Sequence, residues 1–170
     1  MHPTLLHTST LLAMLAIAPV AAPAPAADPA PADERSAAEL AASSLWAALD
    51  AAWNARAAEQ VSQIFADDAS LRFVDRDLSL DGRAAIYRYF TEQFGRQAAD
   101  LRHESTPRAV RLVAPDVLAV DAGIAILRVG ATDASQPTIV RNFEVFALMH
   151  RSDGGWRFQV LRAYRLRDGT

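Results

Sequence analysis

The chain has 170 residues and no cysteine or lysine, so its 17 basic residues are all arginine; 20 acidic residues bring the net charge to −3. This length suits one domain with a single sizeable core. The missing cysteines exclude disulfides, zinc–thiolate sites and thiol catalysis, and arginines scattered among acids exclude a nucleic-acid stripe.

Leu11–Val20 form an apolar run too short to span a bilayer as a mature helix, followed by Ala24-Pro25-Ala26. This pattern predicts a signal peptide over 1–26, cleaved after Ala26. The mature chain is then expected to be periplasmic or secreted, with no membrane span. The signal takes His2 and His7 with it, leaving His103 and His150. Two histidines without cysteine are too few for a transition-metal site, and no metal is expected. Residues 27–35 are rich in Ala and Pro and read as an extended linker. The folded domain is expected over 36–168.

Ser36 to about Ala55 reads as a helix, with Ser36 as cap and Glu39 completing a capping box. Leu45, Leu49 and Trp53 stack along it, with Trp46 beside them. A second short helix is expected over Ala58–Phe65, ending at Asp67-Asp68, where the acids terminate a helix at a surface turn in preference to forming a catalytic dyad. Ser70–Val74 is a short strand. Asp81 is the expected N-cap of a third helix, with Ile86, Tyr89, Phe90 and Phe94 as its apolar stripe. From Leu101 the period becomes two, predicting strands at about Leu101–Val113, Val117–Val129, Thr138–Arg151 and Trp156–Leu166. Turns fall at Ala114-Pro115-Asp116 and Ser152–Gly155, and a polar loop at Thr132–Pro137. Three helices followed by a long meander predict an α+β domain, with a curved antiparallel or mixed sheet wrapped around the helices as a cone.

Several of these segments carry a resemblance. They are Trp53-Asn54-Ala55, Phe65-Ala66-Asp67-Asp68-Ala69, Asp81-Gly82-Arg83-Ala84-Ala85-Ile86, Val113–Val120 and Asp153-Gly154-Gly155-Trp156-Arg157. In this order and spacing the chain resembles the nuclear transport factor 2-like superfamily, in its SnoaL-like, ketosteroid-isomerase-like branch. The resemblance implies a cone-shaped α+β barrel with a pocket between helices and sheet, and a homodimer formed through the sheet. It also spans isomerases, cyclases, dehydratases and association domains, so it does not settle function. In the steroid-isomerase relatives an aspartate base follows the aromatic residue of the Phe-Ala-Asp-Asp segment by eight positions. Here that position is Phe73. The position of the oxyanion tyrosine falls near Leu49. Neither can serve, although Asp75 and Asp77 lie close by. The resemblance therefore argues against ketosteroid-type chemistry.

The last predicted strand holds one conspicuous residue. Trp156, Phe158, Val160, Arg162, Tyr164 and Leu166 alternate onto one face, and only Arg162 is charged. If Trp156 opposes His150 across the hairpin, Phe158 faces Leu148, Val160 faces Phe146 and Arg162 faces Glu144. This register predicts Glu144 and Arg162 side by side on the concave face. There they form either a register-fixing ion pair or a polar floor that holds a ligand anion. Tyr164 is a further ligand contact on that face.

His103 and Glu104 occupy adjacent strand positions, so one points inward. An inward His103 is a candidate acid or base; a surface histidine is the plainer alternative. Trp46, Trp53, Tyr87, Tyr89 and Phe90 read first as core. Trp53 is also carried as a ligand contact, and Asp50, one turn away, as a residue reaching the pocket mouth.

Three functions follow. The first is an exported domain binding a small, partly apolar, anionic or carbonyl-bearing molecule, with no assignable catalysis. The second is a cofactor-independent isomerase, cyclase or dehydratase with Glu144 or His103 as base and Arg162 as anion holder. The third is a protein-association domain dimerising through its sheet. No cofactor is expected in any of them.

Overall fold

The computed structural model describes residues 32–130 and 136–166. The predicted signal segment with its cleavage point, residues 27–31 of the linker and most of the loop Thr132–Pro137 lie outside the described residues.

Helix α1 spans Ala32–Asn54. It includes four residues that composition assigned to the linker, and Ser36 lies inside it instead of capping it. Its buried stripe runs Ala38, Ala42, Trp46, Leu49 and Trp53, a helical spacing in which the alanines let the N-terminal half approach its neighbours closely. Helix α2 is the single short segment Ala58–Gln63.

Strand β1 begins at Phe65 and runs to Phe73. Asp67 and Asp68 therefore lie within a strand and do not end a helix. A 3-10 turn, Val74–Arg76, closes on Asp77 with a left-handed φ of 49°, and strand β2, Leu78–Asp81, folds back along β1. This hairpin was not foreseen, because β2 is only four residues long.

Gly82, not Asp81, occupies the N-cap of helix α3, Arg83–Arg96. Its φ of +80° and the 3.3 Å that would separate an added Cβ from Asp67 O both favour glycine. Asp81 instead accepts a hydrogen bond from Ser70 Oγ. Ile86, Phe90 and Phe94 form the buried stripe of α3, whereas Tyr89 is half-buried and Tyr87, expected in the core, is exposed.

The remaining strands are β3 (Leu101–Ala114), β4 (Val117–Arg128), β5 (Thr138–Ser152) and β6 (Gly155–Leu166). The six-stranded sheet has the order β2-β1-β6-β5-β4-β3, with β1 and β6 parallel and every other pair antiparallel. This is the expected α+β, mixed-sheet architecture. Irregularities at Pro107/Ala109, Ile126/Leu127 and Leu148/Met149 supply the local bends a curved sheet needs. Trp46, Phe65 and Phe158 meet at the centre of the core, Phe158 lying 4.8 Å from Trp46 and 5.4 Å from Phe65 between ring centroids.

The β5–β6 register corrects the sequence expectation. A two-residue turn pairs Ser152 with Gly155 and Arg151 with Trp156, and the irregularity at Leu148/Met149 adds a further shift. Arg162 therefore opposes Phe146, and Glu144 opposes Tyr164. The same irregularity reverses the facing of β6: Phe158, Leu161 and Ala163 point into the core, while Val160, Arg162 and Tyr164 point outward.

Candidate functional site

Strand β3 is a sheet edge, and its free backbone groups need partners. Helix α1 supplies them from Asp50 and Asn54, one turn apart on the same face. Asn54 Nδ2 donates to His103 O at 2.9 Å, and His103 N donates to Asn54 Oδ1 at 2.8 Å. Asp50 Oδ2 accepts from Ser105 N at 3.0 Å and from Ser105 Oγ at 2.9 Å. Pro107, two residues further on, has no N–H to leave unpaired at this edge.

This docking fixes the imidazole of His103. Its Nδ1 lies 2.6 Å from Asp50 Oδ1, and the residue is only 5% exposed. The inward alternative for His103 is the one observed. Trp53 packs beside the ring at 5.2 Å. In the neutral imidazole tautomer that donates from Nδ1 to Asp50, Nε2 carries the lone pair. Among the described residues Nε2 has no hydrogen-bond partner.

His103 lines a cavity of about 350 Å³ between the helices and the sheet. Leu49, Trp53, Phe65, Leu71, Phe90 and Ile124 form much of its apolar wall. Its polar lining comes from Tyr89, Gln93 and Gln97 of α3 and the residue after it, and from Arg76, Arg96 and Arg141. Tyr89 OH accepts a hydrogen bond from Arg76 at 3.2 Å, which leaves its own proton to donate.

The other residues singled out from sequence lie elsewhere. Arg162, Glu144 and Tyr164 are absent from the cavity lining. Arg162 Nη1 donates to Ser70 O at 3.1 Å and to Ser70 Oγ at 3.2 Å, tying β6 to β1 on the outer side. Glu144 is held by Arg108, whose Nη1 reaches its two carboxylate oxygens at 2.7 and 2.6 Å. Glu144 and Arg162 do not form the expected pair. Trp53 lines the cavity; Asp50 is absent from the lining and instead contacts the His103 ring. The three arginines and Gln97 were not anticipated. Arg141 carried a usable signal: alternation backwards from Met149 through Ala147, Val145 and Phe143 leads to it. Among the described residues no group of three or more His, Asp or Glu converges to hold a metal ion, and no helix is long and apolar enough to cross a membrane.

A family model for the SnoaL-like domain matches residues 34–162. The chain belongs to the SnoaL-like family. No curated protein matches this SnoaL-like chain. Solved structures share its fold. A nuclear transport factor 2-like protein with a cystatin-like fold from Novosphingobium aromaticivorans is 21% identical, with 80% of this chain and 86% of that chain covered and a TM-score of 0.68. The hexachlorocyclohexane dehydrochlorinase LinA-type3 from Novosphingobium barchaimii is 17% identical, with coverages of 79% and 90% and a TM-score of 0.64. A ketosteroid isomerase-like protein from Erwinia carotovora atroseptica is 16% identical, with coverages of 81% and 99% and a TM-score of 0.60.

Proposed function

We propose that this SnoaL-like protein is a cofactor-independent enzyme that removes a proton from carbon on a small, largely apolar substrate, leading to isomerisation or elimination. The observation that carries the reading is the buried His103 held by the half-buried Asp50, with Nε2 of His103 left without a partner at the cavity the residue lines. His103 Nε2 is the base. The C–H electron pair becomes a new C=C bond or an enolate, and the proton stays on Nε2 until it is returned to the product or to a leaving group. Asp50 holds the ring and stabilises the imidazolium so formed, as an acceptor that needs no reorganisation. Tyr89 is a hydroxyl donor in the cavity lining that can meet a developing oxyanion. The name dehydrochlorinase, borne by one protein of the same fold, describes an elimination of this kind. Glu144, ion-paired on the outer face, is set aside as base.

The test is incorporation of solvent deuterium by NMR across a panel of small cyclic ketones and halogenated rings, each with and without a carboxylate side arm. Exchange by the unaltered chain, reduced by about 10²–10⁴ in His103→Gln, supports the reading. Exchange that survives in His103→Gln overturns it. Ligand-dependent thermal stabilisation with no exchange anywhere points to the non-catalytic binding domain.

We also take the outer face of the sheet, where Ile139, Tyr164 and Leu166 are exposed, as the surface on which two copies meet. Light scattering on the parent and on Tyr164→Glu tests this, with a dimer expected for the first and a monomer for the second.

A further inference from the structure

We propose that the substrate is an apolar molecule ending in an oxyanion, a carboxylate or a phosphate, whose charge is held at the cavity rim by Arg76, Arg96 and Arg141 with Gln97 donating beside them. The inference rests on the reading that this cavity is the substrate site. It goes further by naming the substrate's charge and the end of the cavity where that charge sits.

The cavity lining contains three arginines and no aspartate or glutamate, in a chain whose net charge is −3. The guanidiniums come from separate elements: Arg76 from the 3-10 turn after β1, Arg96 from the last turn of α3, and Arg141 from β5. All three residues are exposed while His103 is buried, which places the positive charge at the mouth and the base in the interior.

None of the three is closely neutralised among the described residues. Arg76 lies over the Phe73 ring at 4.5 Å and donates to the neutral Tyr89 hydroxyl. Arg96 approaches Glu92 only to 3.9 Å, with both side chains largely exposed. Arg141 has no ion pair or hydrogen bond with another described residue. Elsewhere in the chain Arg72, Arg83, Arg108 and Arg128 do pair with a carboxylate at 3.0 Å or less.

A second, independent observation comes from Gln97. Gln97 lines this cavity, and its Nε2 is buried without a hydrogen-bond partner. A buried amide N–H without an acceptor is costly unless a ligand supplies one. Guanidiniums and an amide N–H all donate and none accepts, so the complementary group is an oxyanion. The walls nearer His103 are hydrocarbon and aromatic, which suits an uncharged body. The expected ligand is therefore an amphiphilic acid, oriented with its head outward and its reacting carbon at His103.

The experiment is calorimetric binding to the full chain of three probes with the same aromatic tail: 4-phenylbutanoate, 3-phenylpropyl phosphate and the neutral 4-phenylbutanamide. At least one anion is expected to bind about tenfold or more tightly than the amide, with a preference that shrinks as salt is raised. A preference for one anion over the other also supports the inference and names the head group. Arg76→Gln, Arg96→Gln and Arg141→Gln are each expected to weaken that anion by roughly three- to tenfold while leaving the amide unchanged. Gln97→Glu is expected to weaken it more than Gln97→Met. The three arginines are exposed, so unchanged thermal midpoints check that their variants fold. The inference is overturned if the amide binds as well as both anions, if neither anion binds at millimolar concentration, or if the triple arginine variant keeps the preference. His103→Gln separates the two readings. Loss of deuterium exchange with anion preference absent defeats only the charge assignment. Anion preference with exchange surviving in His103→Gln defeats only the proposed base.

Discussion

The side-chain amide of Asn54 closes two hydrogen bonds on the peptide of His103, at 2.9 and 2.8 Å. One turn earlier on the same helix, Asp50 holds the imidazole of that residue. The backbone and the ring of His103 are thus both positioned from α1, and the base sits on paired β-structure, not on a loop. Asn54 is a positioning residue. Asn54→Ala is expected to lower kcat roughly tenfold with little change in KM, and to destabilise the fold by about 1–3 kcal/mol through the part-buried strand groups it leaves unpaired. A purely structural role would lower stability without moving kcat at a temperature where the variant is fully folded. Steady-state kinetics beside a urea titration distinguish the two.

The long strands were legible in the sequence because period-two patterning and the turns at Ala114–Asp116 and Ser152–Gly155 are local signals. Helix α1 was legible from Leu45, Leu49 and Trp53 for the same reason. The start of β1 was not, since Phe65 continues the apolar pattern of α2 without a break. Arg162 shows why strict alternation fails. A bulge leaves no mark of its own in residue type, yet it moves every later side chain to the other face. The facing of His103 was undetermined locally as well, because its partner Asp50 lies 53 positions away.

Arg162 joins β6 to β1 through Ser70 and is remote from the cavity lining. Arg162→Leu is expected to lower stability by about 1 kcal/mol, the scale of a few partly solvated hydrogen bonds. Binding of 4-phenylbutanoate should be unchanged. A calorimetric titration of the variant would reinstate Arg162 as the anion holder if affinity fell with stability intact.

The Arg108–Glu144 ion pair crosses directly over Gly123 on the outer face of β4. A Cβ on Gly123 would lie 2.5 Å from Arg108 Nη2. Gly123→Ala therefore pushes the guanidinium aside, which a flexible, half-exposed side chain can accommodate. Exposed ion pairs contribute little, and salt screens them, so the expected loss is at most about 1 kcal/mol. Glu144→Gln should behave in the same way and leave turnover at the parent rate. A large fall in kcat in Glu144→Gln would return Glu144 to candidacy as the base.

Asp68 reports on the packing of β1 against β6 through protonation. Its carboxylate accepts a hydrogen bond from Gln159 Nε2 at 3.0 Å, and this contact, with a backbone hydrogen bond, holds its pKa below the ordinary carboxylate value. A carboxyl group with a depressed folded-state pKa stabilises the fold above its unfolded value, and that contribution is lost as pH falls towards the folded one. The window therefore lies below the ordinary carboxylate range, and neutral pH stands above it. Asp68→Asn removes the titrating group. Its urea midpoint should consequently fall less steeply than the parent's on acidification, with the two curves separated at neutral pH and converging in acid. Gln159→Leu, which keeps the carboxyl but removes its main partner, should bring the same convergence. Parallel curves for parent and Asp68→Asn through the acid range would show that the Gln159 contact carries no differential stability.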